Sequence, residues 1–474
     1  MGKMKNRKAA GDDMIPTEIR KSTGEDGILW MREIINKCGD EGRAPTEWNK
    51  SVLCPIFKKG DKTDCRNYRG IALMLHIAKV YERILERRLR EIVENRLEEL
   101  QYGFRPNRST IYLIFSLKMI CEKSWEFNRK AHVAFIDLEK AFDRVPRNVL
   151  WNILGKREYE VPSKLIGAIK STYVNSVCKV KTQTDSNDWF RIETGVKQGS
   201  VLSPLLFIIF MDYCGRLVRR ETNGEILGYA DDLALIAETG EALQNFVAVW
   251  DEVLNAKGMK ISKEKTEVML LSKEQEEMDV VIGGSVLKQV DWFEYLGVYF
   301  GTGNDMILEL NHRISKFNGT LALLYPLLKD RNIPRKVKMI IYTNILRPIL
   351  IYGHEAWALN TRLKSKLQTC EMRVLRVIMG VTRLDRLRNS DIRRELGVES
   401  LLTLIEKGQL RWFGHLKRMN NNRYARRYYE WTPLEGRGVG RPKIRWSDNI
   451  KTAVERRGGT MEEIEEMAYY EDQQ

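Results

Sequence analysis

Residues 225–237, EILGYADDLALIA, constrain the fold more than any other part of the chain. Two apolar arms, Ile226 to Ala230 and Leu233 to Ala237, flank the carboxylates of Asp231 and Asp232. Apolar arms around a polar dipeptide predict a β-hairpin with both acids at its tip. A third acid has a similar setting: Asp137 nearly closes the apolar, strand-like run AHVAFIDL, residues 131–138. Carboxylates in such places are costly unless paired or bound to cations. Hard oxygen donors suit Mg²⁺, which keeps waters and takes phosphate oxygens as further ligands. Two such ions about 3.5–4 Å apart can clamp an in-line displacement at phosphorus. The competing reading is an ordinary Asp-Asp turn between strands, since Asp favours turns. Gly11-Asp12-Asp13 looks like another acidic pair, but no apolar strand precedes it, and it reads as a plain turn.

Charge points to the partner class. Across 474 residues, 79 Lys and Arg stand against 64 Asp and Glu, a net of +15. The excess is concentrated: Arg362 to Arg457 holds 24 Lys or Arg against 10 Asp or Glu, a net of +14. Aromatics interleave with it, as in Arg411-Trp412-Phe413 and Arg445-Trp446. Basic side chains neutralise phosphates and aromatic faces stack on bases, so this region is expected to contact nucleic acid. The alternative is a solvated helical surface.

Other classes are excluded by what the pattern lacks. The seven Cys are odd in number and none forms a CxxC pair, which argues against a disulfide framework or Cys-based zinc site. The five His form no HxxxH or Cys/His cluster. No GxxxxGK[ST] loop is present. The first residues, MGKMKNRKAAGDDMIP, carry charge but no apolar stretch, so no secretory signal is expected. The longest apolar run, Leu205 to Met211, is seven residues, short of the roughly 20 of a membrane span. The chain therefore reads as soluble, not secreted, acting in nucleus or cytoplasm. Residues 77–97 show a helical apolar period, a second helix is expected from about Thr110 to Cys121, and FEYLGVYF, 293–300, reads as a strand. Beyond about residue 304 the pattern turns helical.

Seven segments in order carry a family resemblance: SVLCPIFKKGDKTDCRNYRGIAL (51–73), GFRPNRST (103–110), AFIDLEKAFDRV (134–145), GVKQGSVLSPLLF (195–207), YADD (229–232), GMKISKEKT (258–266) and YLG (295–297). Together they resemble the reverse transcriptase of non-LTR (LINE-type) retrotransposons, closest to an RTE-like clade. The tail segments RWFGHLKRM (411–419) and GRGVGRPKIRW (436–446) look like the end of such elements. The resemblance implies an α+β right-hand polymerase: fingers, a palm with an antiparallel sheet, a helical thumb and a basic C-terminal region. The implied division is an extension at 1–50, fingers at 51–131, palm at 132–303, thumb at 304–400 and a basic nucleic-acid-binding region at 401–474.

By this resemblance Asp137 and Asp231 hold two Mg²⁺ ions, with Mn²⁺ able to substitute, and Asp232 is the second acid of the hairpin. RNA template, DNA primer and dNTPs are the implied partners, with no membrane. Phe142 matches an aromatic wall beneath the incoming sugar, with core packing as its alternative role. Arg69, and more loosely Lys58 and Lys59, match positions that reach the triphosphate. Gln198 and Gly199 match a loop near nucleotide and template. Lys265 matches a general acid for the leaving pyrophosphate, with a solvated lysine as the alternative. Gly103, Phe104, Arg105 and Pro106 match a template-handling finger loop. Tyr295, Leu296 and Gly297 match the strand and turn that grip the primer.

Some features depart from the family pattern. Only about 50 residues precede the finger motif, so an upstream endonuclease is expected to be absent. No Cys lies beyond 370, which excludes a terminal zinc knuckle. Two other functions therefore stand beside polymerase activity: a catalytically silent nucleic-acid-binding protein derived from such an element, and a structural protein keeping the motifs as a relic. The intact Asp137, Asp231 and Asp232 favour the polymerase.

Overall fold

The computed structural model describes residues 6–181, 188–303, 305–433 and 443–470. Helices α1 (Thr17–Ser22) and α2 (Gly24–Glu41) open the chain. Cys38 of α2, and Trp48 just beyond it, lie in the main core. Strands β1 (Lys50–Phe57) and β2 (Tyr68–Met74) pair antiparallel, with Ser51 opposite Met74 and Phe57 opposite Tyr68. Helix α3 (His76–Val93) buries the stripe Tyr81, Leu85, Leu89 and Val93, as its apolar period predicts. Helix α4 (Thr110–Glu126) is buried over most of its circumference and runs five residues past Cys121.

Strand β3 (Ala131–Ile136) follows, then helices α5 (Ala141–Arg144), α6 (Arg147–Leu154) and α7 (Ser163–Ser171). Strands β4 (Val177–Val180) and β5 (Phe190–Arg191) join the first hairpin in a four-stranded sheet of order β2-β1-β4-β5. Next come α8 (Ser203–Arg219), β6 (Glu225–Tyr229), β7 (Asp232–Ala237), α9 (Gly240–Ala256) and β8 (Glu267–Leu271). A two-residue-strand hairpin, β9 (Val281–Ile282) with β10 (Ser285–Val286), precedes β11 (Lys288–Gln289). The central sheet has the order β11-β8-β3-β7-β6 and is antiparallel except where β11 runs beside β8.

Strand β3 is apolar on both faces because both are covered. Ala134 and Ile136 join one core with α8 and α9, through Phe207, Phe246 and Trp250. Val133 and Phe135 join another, with Phe115 of α4 and aromatics from the chain's last quarter. This continuous apolar strand is the pattern of a sheet buried on two sides.

The run 293–300 is a hairpin, not one strand. β12 (Trp292–Tyr295) and β13 (Val298–Gly301) pair with Tyr295 opposite Val298. Leu296 and Gly297 between them both have positive φ, 50° and 77°. Two consecutive left-handed residues make the tight turn that suits strand twist. Leu seldom adopts that conformation, so the sequence carries little turn signal there.

The remainder is helical: α10 (Met306–Lys329), α11 (Arg335–Ile341), α12 (Arg347–Ile351), α13 (Thr361–Met379), α14 (Asn389–Glu395), α15 (Leu401–Arg418), α16 (Tyr424–Glu430), α17 (Trp446–Glu455) and α18 (Met461–Tyr470). Helices α10 to α15 share a third core around Phe317, Leu346, Leu367 and Leu375. Buried Glu309 of α10 ties this lobe to the β12–β13 hairpin, accepting from Tyr299 N–H at 2.7 Å and Arg313 Nε at 2.6 Å.

The C-terminal aromatics are not stacking platforms. Trp412, Phe413 and Trp446 are 6%, 0% and 0% exposed and pack against α4 behind the central sheet. Many of the basic residues around them are ion-paired: Arg427 with Glu225, Arg423 with Glu99, Arg445 with Asp448, and Arg456 with Glu406. An aromatic beside an arginine on a helix reads the same in sequence whichever face turns inward. In GRGVGRPKIRW, residues 436–442 lie outside the described residues.

Glu122 of α4 meets the start of α17, accepting from Trp446 N–H at 2.8 Å. Burial, reinforced by the Glu126 and Asp448 carboxylates, pushes its carboxyl up to about 7. A carboxyl raised in the folded state adds stability below its unfolded value and loses it as pH rises through the folded value. Thermal stability is therefore expected to decline from pH 5 to pH 7.5 through this group. Glu122→Gln keeps the acceptor and should flatten that part of the profile; an unchanged slope would show that Glu122 is ionised in the fold throughout.

Candidate active site

The site forms where the central sheet ends. The β3–β7 register runs from His132 opposite Ala237 to Ile136 opposite Leu233. One further step places Asp137 opposite Asp232. Tyr229 pairs with Asp232, so the hairpin turn is Ala230-Asp231 and Asp232 begins β7 instead of sitting at the tip. Ala230 takes φ +58°, the left-handed conformation. Alanine pays roughly 1–2 kcal/mol there, so neighbouring bonds must hold it.

The three carboxylates feel one another. Burial in the cleft, then the charges of Asp231 and Asp137, push Asp232 up to about 6. Asp232 still presents exposed surface, so the like charges matter here as well as the loss of water. Asp137 is also raised, by burial first, with Asp231 adding and Lys265 and Lys58 opposing. Lys265 Nζ stands 3.6 Å from Asp137 Oδ1. The loop 258–266 is fastened to the acid's backbone: Asp137 N–H donates to Thr266 Oγ1 at 3.3 Å and Ser262 N–H to Asp137 O at 2.8 Å.

Among the described residues no three His, Cys, Asp or Glu side chains form a complete metal-binding group. The donor set is an open one: three mutually repelling carboxylates, two of them raised, at the mouth of a cleft. That chemistry fits Mg²⁺, which needs only one or two carboxylates when water and phosphate oxygens complete its shell.

The 195–199 loop links α5 to β2. Val196 N–H donates to Phe142 O at 2.8 Å, and Ala72 N–H of β2 donates to Gln198 O at 2.7 Å. Gln198 Nε2 also donates to Asp143 Oδ1 at 2.8 Å. Gly199 has φ +112°, and a Cβ on it would lie 2.6 Å from Ala72 O, so glycine is required. The half-buried Phe142 ring stacks on Phe207 at 4.6 Å, with the edge of exposed Phe104 at 6.5 Å. Packing therefore fixes the ring while leaving part of it exposed. Arg69 is exposed on β2, opposite Ile56, and Lys58 leaves the end of β1. A cavity of about 510 Å³ lined by Lys130 and Tyr428 lies at the other end of β3 and takes no part in this cleft.

Two residues expected to touch nucleic acid are committed elsewhere. Arg105 is buried, and its guanidinium donates to the Glu94 carboxylate and to the carbonyls of Glu94, Leu97, Glu98 and Gln101. No donor remains for a phosphate. The Tyr295 side chain is buried, and its hydroxyl donates to Leu227 O at 2.7 Å. Only the Leu296-Gly297 turn reaches outward, with Leu296 O accepting from Tyr352 Oη at 3.0 Å. Gln101 and Thr266 are both fully buried beside the acids; Thr266 ends the segment 258–266, whereas Gln101, a lone Gln at a loop's edge, has no pattern that marks it.

A family model described as reverse transcriptase (RNA-dependent DNA polymerase) matches residues 56–300, which hold the three acids, Lys265 and the 195–199 loop. The chain belongs to the reverse transcriptase family. The lobes accordingly form the right-hand polymerase fold of that family. Similar curated proteins include a probable RNA-directed DNA polymerase from transposon X-element of Drosophila melanogaster, 25% identical, covering 88% of this chain and 47% of that protein. Another is the RNA-directed DNA polymerase from mobile element jockey of Drosophila funebris, 28% identical, covering 80% and 43%. The chain thus spans about half the length of the curated relatives it matches. Among solved structures, a telomerase from Candida albicans in complex with a telomeric RNA fragment is 11% identical, with TM-score 0.46 over 94% of this chain and 68% of that one.

The buried role of Arg105 is testable. Arg105→Ala leaves four carbonyls without this donor and the Glu94 carboxylate with Arg90 alone, and should lower unfolding free energy by about 3 kcal/mol. Arg105→Lys should not restore it, because one ammonium cannot span the same set. Wild-type melting of either variant would show that the guanidinium is not structural.

Proposed function

We propose that this chain is the polymerase portion of a non-LTR retrotransposon reverse transcriptase of RTE-like type. In this reading it extends a DNA primer on an RNA template with dNTPs by two-metal nucleotidyl transfer. The observation carrying it is the meeting of Asp137, Asp231 and Asp232 at the sheet's end beside Lys265 and Lys58. Asp137 and Asp231 are the proposed Mg²⁺ ligands, or Mn²⁺ ligands, with Asp232 adjoining. When bound, the ions supply activation of the primer hydroxyl and charge stabilisation at the α-phosphate and pyrophosphate.

The chain's own side chains do the rest in this reading. Lys265, held near Asp137, provides a proton toward the pyrophosphate oxygen. Arg69 and Lys58, both at the loop end of the β1–β2 hairpin, offer cations to the triphosphate. Phe142, backed by Phe207, limits the space beneath the sugar and rejects a 2′-hydroxyl. Gln198 and Gly199 shape the wall by nucleotide and template. Gly103 and Phe104 face the template side, and the Leu296-Gly297 turn the primer side. The proposed division is fingers at 51–131, palm at 132–303, thumb at 304–400 and a basic nucleic-acid-binding region at 401–474, whose helices α15 to α17 lie over the back of the palm. Phosphate contact by the latter then falls to its unpaired exposed basic residues.

Primer extension on an RNA template tests the proposal. Asp231→Ala should reduce extension to background while template affinity stays close to wild type; extension at the wild-type rate would remove Asp231 from the site. Phe142→Val should raise ribonucleotide incorporation by about tenfold relative to dNTP. Unchanged discrimination would leave Phe142 as packing alone.

A further inference from the structure

Residues 100–103 form an additional edge on the acidic hairpin. Gly228 N–H donates to Leu100 O at 3.0 Å and Tyr102 N–H donates to Gly228 O at 2.8 Å, which sets Gln101 beside Gly228 in a parallel bridge. The Gln101 side chain is 0% exposed. Its Oε1 accepts from Ala230 N–H at 2.7 Å and from Gly103 N–H at 2.9 Å, and its Nε2 donates to Ala230 O at 3.1 Å. Both polar groups of one left-handed residue are thus held by one amide. The approach is close: a Cβ on Gly103 would fall 2.5 Å from Ala230 N.

We propose that Gln101 is a positioning residue for the reaction, clamping Ala230 in its left-handed turn and so setting the directions of Asp231 and Asp232. Its catalytic consequence rests on the polymerase reading; its geometry does not. Only a primary amide accepts and donates at once with this shape. A glutamate side chain accepts from both N–H groups but cannot donate to Ala230 O, and alanine does neither. A glycine at 230 enters the left-handed region freely and needs no clamp.

Two measurements on the full chain separate the claims. Hydrogen exchange over residues 226–234 needs no substrate. Gln101→Ala should speed exchange of the Ala230 amide by about tenfold or more, leaving α8 and the centre of β3 unchanged. Wild-type exchange at the turn, or equal loosening of the whole sheet, would overturn the proposal. In primer extension, Gln101→Ala should lower kcat by about tenfold or more, with KM for dNTP and primer–template Kd within roughly twofold. Gln101→Glu should fall between it and wild type. Adding Ala230→Gly to Gln101→Ala should recover part of the lost kcat, a rescue that simple loss of packing does not allow. No kcat loss, or no recovery, counts against the clamp. If the wild-type chain extends no primer, the polymerase reading fails and the exchange result alone decides the role of Gln101.

Discussion

Pairing Ile136 with Leu233 leaves no choice about which carboxylates meet. Side chains alternate across a strand, so a slip of one residue would turn Val133 and Phe135 onto the face now occupied by Ala134 and Ile136. Both faces of β3 are filled, by α8 and α9 on one side and by α4 with the C-terminal helices on the other. Neither core can accept the other's residues without voids or clashes. Packing on two sides thereby locks the register, and the register brings Asp137 to the β6–β7 hairpin.

The carboxylates of the cleft differ from those elsewhere in the molecule. Asp212, fully buried in α8, accepts from Glu98 N–H, Tyr159 Oη and Arg216 Nε at 2.7–2.8 Å. Glu371, buried in α13, is held by Arg393, Leu401 N–H and Tyr342 Oη. These acids are satisfied and structural. Asp137 and Asp232 are raised by burial first and by Asp231 next, with Lys265 at 3.6 Å from Asp137 giving that acid partial relief. Asp212, Glu309 and Glu371 each meet an arginine, whereas the charges acting on Asp137 and Asp232 are those of lysines and other carboxylates. The backbone around the acids is nevertheless fastened, by Gln101 at Ala230 and Thr266 at Asp137, so the repulsion is confined to the side chains.

The last quarter of the chain shows why net charge and binding surface are different quantities. Its excess of +14 is real, yet Arg423, Arg427 and Arg445 are engaged by glutamates of earlier segments, Glu99, Glu225 and Glu126. The helices α15 to α17 cover one face of the central sheet, burying Trp412, Phe413 and Trp446. Removing this region would uncover the palm's second core, so charge-reversal at exposed positions is the cleaner probe of nucleic-acid contact.

The three acids that meet at the sheet's end, the hairpin that carries two of them and the order of the motifs were legible because each is local: apolar periodicity and an out-of-place carboxylate lie within a dozen residues of chain. The amphipathic stripe of α3 was legible for the same reason. The direction of a side chain relative to distant elements was not. Arg105 and Tyr295 sit in motif segments, but whether they face nucleic acid or the interior depends on the carbonyls of 94–101 and on Leu227, brought near only by folding. The turn at Leu296 needed a left-handed leucine, which local preference argues against. Gln101 had no local signature for this role, since Ala230, the residue it clamps, lies 129 residues away. The sequence by itself determined which acids were available and on what local elements they ride. Tertiary structure decided which of them meet, which basic and aromatic residues remain outside, and what holds the turn, because those depend on register and packing between segments far apart in the chain.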